Sequence, residues 1–283
     1  MKSYKPTSIP RRAMTTIEFN KIVTTNDPEK SLTHGFKRAV GRNNRGIITT
    51  RHKGSGHKRL YREVDFTYNK RDIPATLMTV EYDPNRTAFI ALAQYKDGEK
   101  RYVVLPQGMK VGSEFIVSPK AEIKVGNSMM LKNIPVGTFV YNVEVNANGG
   151  ARLAKSAGNF VEVIAHDAGY VHLKLPSTEV RRVIDTCFAT IGVVSNEENR
   201  LINIGKAGRS RWLGIRPTVR GTAQNPVDHP YGGGEGRQGR GTRRAKSVYG
   251  KPTGKGQKSR RAKRYSNHLI VTRRRVGKAK SGK

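Results

Sequence analysis

The chain has 283 residues, a formal charge of +33 and one cysteine, Cys187. A single cysteine excludes a disulfide framework and any cysteine-based zinc site, and no apolar run approaches the roughly 18 residues needed to span a bilayer. A hydrophobic share of 35% is thin for filling the whole length with core, and the charge calls for a polyanionic partner.

The charge is unevenly spread. Residues 1–60 hold 14 Lys and Arg against 3 Asp and Glu, residues 61–204 hold 17 against 16, and residues 205–283 hold 23 against 2. A nearly neutral middle between basic ends predicts a basic N-terminal arm (1–60), a folded body, and a basic C-terminal extension (205–283). The start, MKSYKPTSIPRRAMT, lacks the apolar segment of a secretory signal and has no acid before Glu18. That composition suits an organellar transit peptide, and equally an RNA-contacting arm.

From residue 61 to 194 short β-branched and aromatic runs alternate with turn residues, which predicts an all-β body. TLMTVEY (76–82), TAFIALAQY (87–95), EKRYVVLP (99–106) and SEFIVS (113–118) are predicted strands, with a hairpin turn at Lys96-Asp97-Gly98. FVYNVEV (139–145), NFVEVIAH (159–166), YVHLKLP (170–176), EVRRVI (179–184) and ATIGVV (189–194) form a second set, with turns at Asn148-Gly149-Gly150 and Asp167-Ala168-Gly169. The stretch AEIKVGNSMMLKNIPVG between them reads as a dividing loop, giving two tandem small barrels over 61–130 and 131–204. Periodicity alone does not separate two barrels from one sandwich.

Beyond Gly205 the composition turns to Gly, Arg, Lys, Ser and Pro. Thirteen large apolar residues cannot offset the entropy of ordering this tail, so it is expected to be largely disordered alone, with RWLGIRPTV docked on the body, and to order on a partner. Gly234, Gly236 and Gly239 match G-x-G-x-x-G, but no strand precedes them and no acidic residue follows Glu235, which excludes a dinucleotide-binding turn. None of the Gly-Lys pairs is followed by Ser or Thr, so there is no Walker A loop.

A hydrolytic triad of Asp228 or Glu235, His229 and Ser247 or Thr222 fails on geometry, because adjacent side chains diverge and no nucleophile elbow exists. His52 and His57 sit in RHKGSGHKR, whose cations repel a metal ion and favour phosphate or base edges.

These residues suit folded RNA. Arg and Lys neutralise phosphates, Asn and His reach base edges, aromatics stack, and glycines let backbone pass through narrow grooves. In GRNNRGIITTRHKGSGHKRLYR the expected RNA-binding residues are Arg42, Asn43, Asn44, Arg51, His52, Lys53, His57, Lys58, Arg59, Tyr61 and Arg62. SRWLGIRPTVRG adds Arg211, Trp212, Arg216 and Arg220, with Trp212 open to stacking or, equally, to plugging the body's surface. The loop NPVDHPYGGGEGR contributes Asn225, Asp228, His229 and Arg237. The remaining tail contributes Arg240, Lys255, Lys258, Arg260, Arg261, Lys263, Arg264, Arg273, Arg274 and Arg275.

The chain resembles the large-subunit ribosomal protein two family. The resemblance rests on GRNNRGIITTRHKGSGHKRLYREVDF (41–66), VEYDPNRTAFIAL (80–92), DGEKRYVVLP (97–106), ARLAKSAG (151–158), GKAGRSRWLGIRPTVRGTAQNPVDHPYGGGEGR (205–237) and NHLIVTRRR (267–275). It implies an oligonucleotide-binding-type barrel, then an SH3-like barrel, and a tail that threads into large-subunit ribosomal RNA. It also implies that the 225–237 loop points toward the peptidyl-transferase region, and that the protein supports assembly, subunit association and transfer-RNA binding. Its partners would be ribosomal RNA, small-subunit RNA at the interface and other ribosomal proteins, in the cytoplasm or an organelle, with no membrane, no enzyme activity, and no cofactor beyond RNA-bound magnesium. The competing expectations are His229 as acid or base in peptide-bond formation and an RNA chaperone without fixed register.

Three positions depart from the family pattern. Ser55 replaces a Gly, so a backbone that only Gly tolerates is not expected there. Thr178 in PSTE replaces a Gly and argues against a positive-φ turn. Tyr231 replaces the second His of DHPHGGG and leaves His229 the loop's only imidazole.

Overall fold

The computed structural model describes residues 1–236, 239–254 and 260–274. Arg237, Lys255, Lys258 and Arg275 lie outside them. The chain is nearly all-β, with 28% strand and 11% helix. In chain order the strands are β1 (Lys2–Ser3), β2 (Thr15–Thr16), β3 (Thr33–Gly35), β4 (Leu60–Arg62), β5 (Ala75–Glu81), β6 (Ile90–Tyr95), β7 (Lys100–Val104) and β8 (Glu114–Phe115). They continue with β9 (Ser128–Met130), β10 (Phe139–Tyr141), β11 (Val143–Glu144), β12 (Ala151–Leu153), β13 (Val161–Asp167), β14 (Tyr170–Lys174), β15 (Val180–Ile184), β16 (Phe188–Ile191) and β17 (Ile270–Thr272). The α-helices are α1 (Ile9–Arg12) and α2 (Ala207–Trp212).

The first set of strands forms a four-stranded sheet in the order β7-β6-β5-β8. Its inner strand β6 is apolar except at Gln94 and is buried along almost all its length, as a strand with a packed cluster on each face must be. Leu77, Val80, Phe89, Ala91, Ala93 and Phe115 fill the core beneath it. The Lys96-Asp97-Gly98 hairpin closes with Tyr95 N–H to Glu99 O at 2.9 Å and Gly98 at φ +87°, a three-residue loop whose last position needs a left-handed residue.

The second set forms a seven-stranded sheet, β17-β15-β14-β13-β10-β16-β9, around Leu131, Val140, Val161, Val163, Val171 and Leu173. In β13 Val161 and Val163 point in, and a bulge between Val163 and Ala165 leaves Ile164 exposed. Two strands of this sheet escape the sequence reading. Ser128–Met130 pairs with β16, although it lies in the stretch read as a dividing loop, because Gly126, Asn127 and Asn133 on its flanks outweigh the buried Met129 and Leu131. Ile270–Thr272 pairs with β15, and Arg182 Nη2 donates to His268 O at 2.9 Å, so this short piece of the basic tail belongs to the sheet.

Thr178 corrects a further expectation. It closes the β14–β15 hairpin at φ +69°, with its N–H donating to Leu175 O at 2.8 Å, so the positive-φ turn forms despite the lost glycine. A β-branched residue is strained there. Thr178→Gly is expected to stabilise the protein by about 1 kcal/mol in urea unfolding, the relieved strain exceeding the extra unfolded-state freedom of glycine.

The chain divides into two compact units that cut across the charge segments. One comprises Met1–Lys37, Lys58–Ala207 and the described residues from His268 on, and the other the described residues of Arg38–His57 and Gly208–Asn267. All the apolar clusters lie in the first unit. Among the described residues of the second, only Gly214 and Ser266 are buried, and no apolar side chain is.

Candidate nucleic-acid interface

The second unit is held by backbone rather than by a core. His52–His57 runs antiparallel to Trp212–Arg216, with Gly54 N–H to Gly214 O at 3.0 Å, His57 N–H to Trp212 O at 3.1 Å and Arg216 N–H to His52 O at 3.0 Å. The approach is close: at Gly56, φ +90°, a Cβ would lie 2.7 Å from Trp212 O. Ser55 adopts φ +57°, a left-handed conformation that a serine tolerates at some cost, and His52 and Val40 are also at positive φ. The guanidinium of Arg38 donates to Ser55 O. Two stretches distant in sequence, each picked out for its residue types, thus form one ribbon.

Beside this ribbon lies a cleft of about 390 Å³ lined by Arg42, Arg51, His52, Lys53 and Arg216 together with Val40 and Ile48. No carboxylate lines it, so its chemistry is that of a phosphate site. Trp212 is 47% exposed and tilted against His57, ring centroids 5.9 Å apart, so about half of its surface is open to a stacking partner.

Not every predicted residue faces outward. Asn43 Oδ1 accepts from the N–H groups of Arg45 and Ile47, both at 3.0 Å, so its acceptor shapes its own turn. Arg59 Nη1 donates to Pro84 O at 2.6 Å. Arg62 is only 8% exposed and faces the buried Asp83, so the expectation that it binds RNA is corrected: its charge is spent inside. Tyr61 stays open on the β3–β4 ribbon, 5.1 Å from His34 and 5.6 Å from Phe36, and Asn44 and Lys58 are exposed.

In the 225–237 loop Asn225 O accepts from Asp228 N–H at 3.0 Å and His229 N–H at 3.2 Å, and Gly233 N–H donates to Gln224 O at 3.2 Å. Two glycines are held by close contacts. A Cβ on Gly232 would sit 2.2 Å from Asn225 O, and one on Gly221 would sit 2.5 Å from the His229 ring. The imidazole has an orienting shell. Its Nδ1 accepts from Tyr231 N–H at 3.1 Å, and the Tyr231 ring lies 4.7 Å away. The neutral ring therefore carries its proton on Nε2. Asp228 does not orient it; its exposed carboxylate makes no hydrogen bond among the described residues. Tyr231, in place of a histidine, accepts from Lys246 N–H through its hydroxyl and lies 5.9 Å from the Arg240 guanidinium.

Along the tail, Arg260 is used locally, donating to Asn267 Oδ1 and Ser266 Oγ, both at 2.7 Å. Arg220, Arg261, Lys263, Arg264, Arg273 and Arg274 are exposed, while Arg211 is half-buried with one Nη1 that lacks a partner among the described residues.

Sequence reasoning missed a cluster on the body. The Lys155 ammonium lies 4.1 Å and the Arg86 guanidinium 5.3 Å from the Phe66 ring centroid. Burial, then the charges of Arg86 and Arg152, hold Lys155 below the usual lysine range. Lys155 stood in the quoted segment ARLAKSAG, but nothing local in the sequence puts it beside Phe66 and Arg86.

Residues 29–118 match the family model described as Ribosomal Proteins L2, RNA binding N-terminal domain. Residues 124–265 match that described as Ribosomal Proteins L2, C-terminal domain. The chain belongs to the ribosomal protein L2 family. As a member of that family it is a structural, RNA-binding protein of the large ribosomal subunit, with ribosomal RNA and ribosomal proteins as partners. The L2 match spans both units, the cationic cleft and the loop around His229. Residues 1–28 precede it.

Proposed function

We propose that the protein is an assembly scaffold of the large subunit whose second unit is completed by ribosomal RNA, with the 225–237 loop set in the peptidyl-transferase region. The observation that supports this is the second unit itself. Arg38–His57 and Gly208–Asn267 carry 21 Lys and Arg against 2 Asp and Glu and bury no apolar side chain among the described residues. Such a unit has a prearranged backbone and no cohesive core, so a polyanion that neutralises it also stabilises it. The ribbon, the cationic cleft and the Phe66 cluster hold phosphates, while Trp212, His57 and Tyr61 meet bases.

Subunit association and transfer-RNA binding belong to this reading, with contacts to small-subunit RNA at the interface and residence in the cytoplasmic or organellar ribosome. Asp228 is free to accept from RNA amino groups or to hold a hydrated magnesium ion. We place an oligonucleotide-binding-type barrel first and an SH3-like barrel second, with the boundary moved from residue 130 to before Ser128, because Ser128–Met130 pairs with β16 of the second sheet. An RNA chaperone is the weaker reading, because a fixed ribbon and a fixed loop imply one register; it would bind unrelated RNAs with equal affinity.

One observation favours a second reading: the shell around His229 gives the ring a fixed tautomer, a prerequisite for acid–base work. The two readings separate in single-turnover peptidyl transfer against pH, on fully assembled large subunits carrying His229→Gln. An unchanged rate and profile is expected, since Nδ1 is already engaged within the loop. A loss of roughly a hundredfold or more with a vanished titration would make the imidazole part of the reaction.

A further inference from the structure

The N-terminal hairpin carries a cleft that the family match does not reach. It measures about 420 Å³ and is lined by Lys2, Tyr4, Thr16, Phe19, Asn20 and Lys21, with Ile17 at its base and Glu18 on its wall. The volume falls in the range of small-ligand clefts.

The cleft is prebuilt. β1 and β2 pair through Lys2↔Thr16 and Ser3↔Thr15, and the Tyr4 hydroxyl lies 2.9 Å from Thr16 Oγ1. The body grips this hairpin: Thr15 N–H donates to Asn203 O at 3.2 Å, Thr15 Oγ1 to Leu201 O at 3.0 Å, and Asn203 N–H to Thr15 Oγ1 at 2.8 Å. Ile17 is packed in the core of the first sheet. A segment that the charge count alone would leave as a solvated arm is therefore fixed in place.

Its groups fall into three kinds. Lys2 of the lining and Arg11, which lies outside the lining, both sit over the Tyr4 ring, 5.6 and 5.7 Å from its centroid, and neither has a carboxylate within ion-pair distance among the described residues. The one carboxylate of the wall, Glu18, is engaged by Lys21 at 2.5 Å. Phe19 is 37% exposed, supported from behind by Phe89 at 6.0 Å and from the side by the exposed Tyr82 at 5.0 Å, both edge-on. Next to it Asn20 is exposed, and its carboxamide makes no hydrogen bond among the described residues. A free cation, an aromatic surface and an open amide in one cleft, with a second cation across the Tyr4 ring, are the groups that read a phosphate, a base face and a base edge.

We propose that this cleft binds one unpaired nucleotide of ribosomal RNA, its base against Phe19 and Asn20 and its phosphate against Lys2 and Arg11. The inference rests on the RNA-binding reading above and adds a site to it. Hydroxyl-radical footprinting and titration of the full chain on large-subunit ribosomal RNA test it. Phe19→Leu keeps the apolar contact with Phe89 but removes the planar face, and an unchanged thermal midpoint verifies the fold. With Asn20→Ala added, affinity is expected to fall roughly tenfold or more, and protection should vanish at one discrete unpaired nucleotide while the other protections persist. Asn20→Ala alone, at an exposed position, should weaken binding severalfold and does not depend on the core. Wild-type affinity and footprint in that variant and in the double variant would overturn the site. If the wild-type chain itself protected no RNA, the functional reading would fall first.

Discussion

Raising the salt from 50 to 200 mM is expected to cut the affinity of the chain for large-subunit ribosomal RNA by a thousandfold or more, if about 8 phosphates are neutralised. The estimate follows from where the charge sits. The cleft of Arg42, Arg51, His52, Lys53 and Arg216 has no carboxylate in its lining, so its cations are not neutralised within the cleft and can replace the counterions condensed on RNA phosphates. By contrast, Lys70, Lys100 and Arg101 of the first unit are tied to Asp97, Glu99, Asp65 and Glu29, and should displace few counterions from RNA. Neutralising Arg51 and Lys53 as Arg51→Gln and Lys53→Gln should therefore lower the salt slope by about 2, roughly 1 per phosphate contact. The same change at Lys70 and Lys100 should leave it unaltered. Filter binding across a salt series checks both, and a flat series would remove the electrostatic basis of the interface.

That contrast was only partly legible in the sequence. Strands such as Ile90–Tyr95 and Val161–Asp167 announce themselves because their side chains carry the fold, through burial and alternation. The ribbon of His52–His57 with Trp212–Arg216 does not, because its bonds are backbone to backbone and its partners lie far apart in the chain. Only its glycines hint at it, and a glycine says that something comes close without saying what. Residue type misleads where geometry decides. Arg62 and Arg51 look alike in a basic stretch, yet one faces Asp83 inside and the other lines the cleft. The shell of His229 is a neighbour's N–H and a missing Cβ at Gly221, neither of which has a side-chain signature in the sequence.

Asp83 is where the body's stability and the interface meet, and removing it is expected to cost the most. Its carboxylate is fully buried: Oδ2 accepts from Arg86 Nε at 2.6 Å, Oδ1 accepts from Asn85 N–H at 2.8 Å, and Arg62 Nη1 lies 4.0 Å away. Arg62 Nε is buried without a partner among the described residues, so that guanidinium depends on nearby charge rather than on its own hydrogen bonds. The other acid near it, Glu81, is a poor substitute, since burial raises its pKa even as Tyr102 and Thr79 donate to it. Asp83→Ala would leave a buried cation uncompensated, and urea unfolding should register a loss of roughly 3–5 kcal/mol. Asp83→Asn keeps the shape and the Asn85 contact but not the charge, so a smaller loss is expected. The turn that Asp83 shapes also fixes the strand Leu60–Arg62 and the adjoining Arg59, part of the proposed RNA surface, because Pro84 O accepts from Arg59 and Asn85 Nδ2 donates to Leu60 O at 2.7 Å. RNA affinity should accordingly fall in Asp83→Ala even at temperatures where the protein remains folded. A variant that lost stability but bound RNA as tightly as the wild type would separate the turn from the interface.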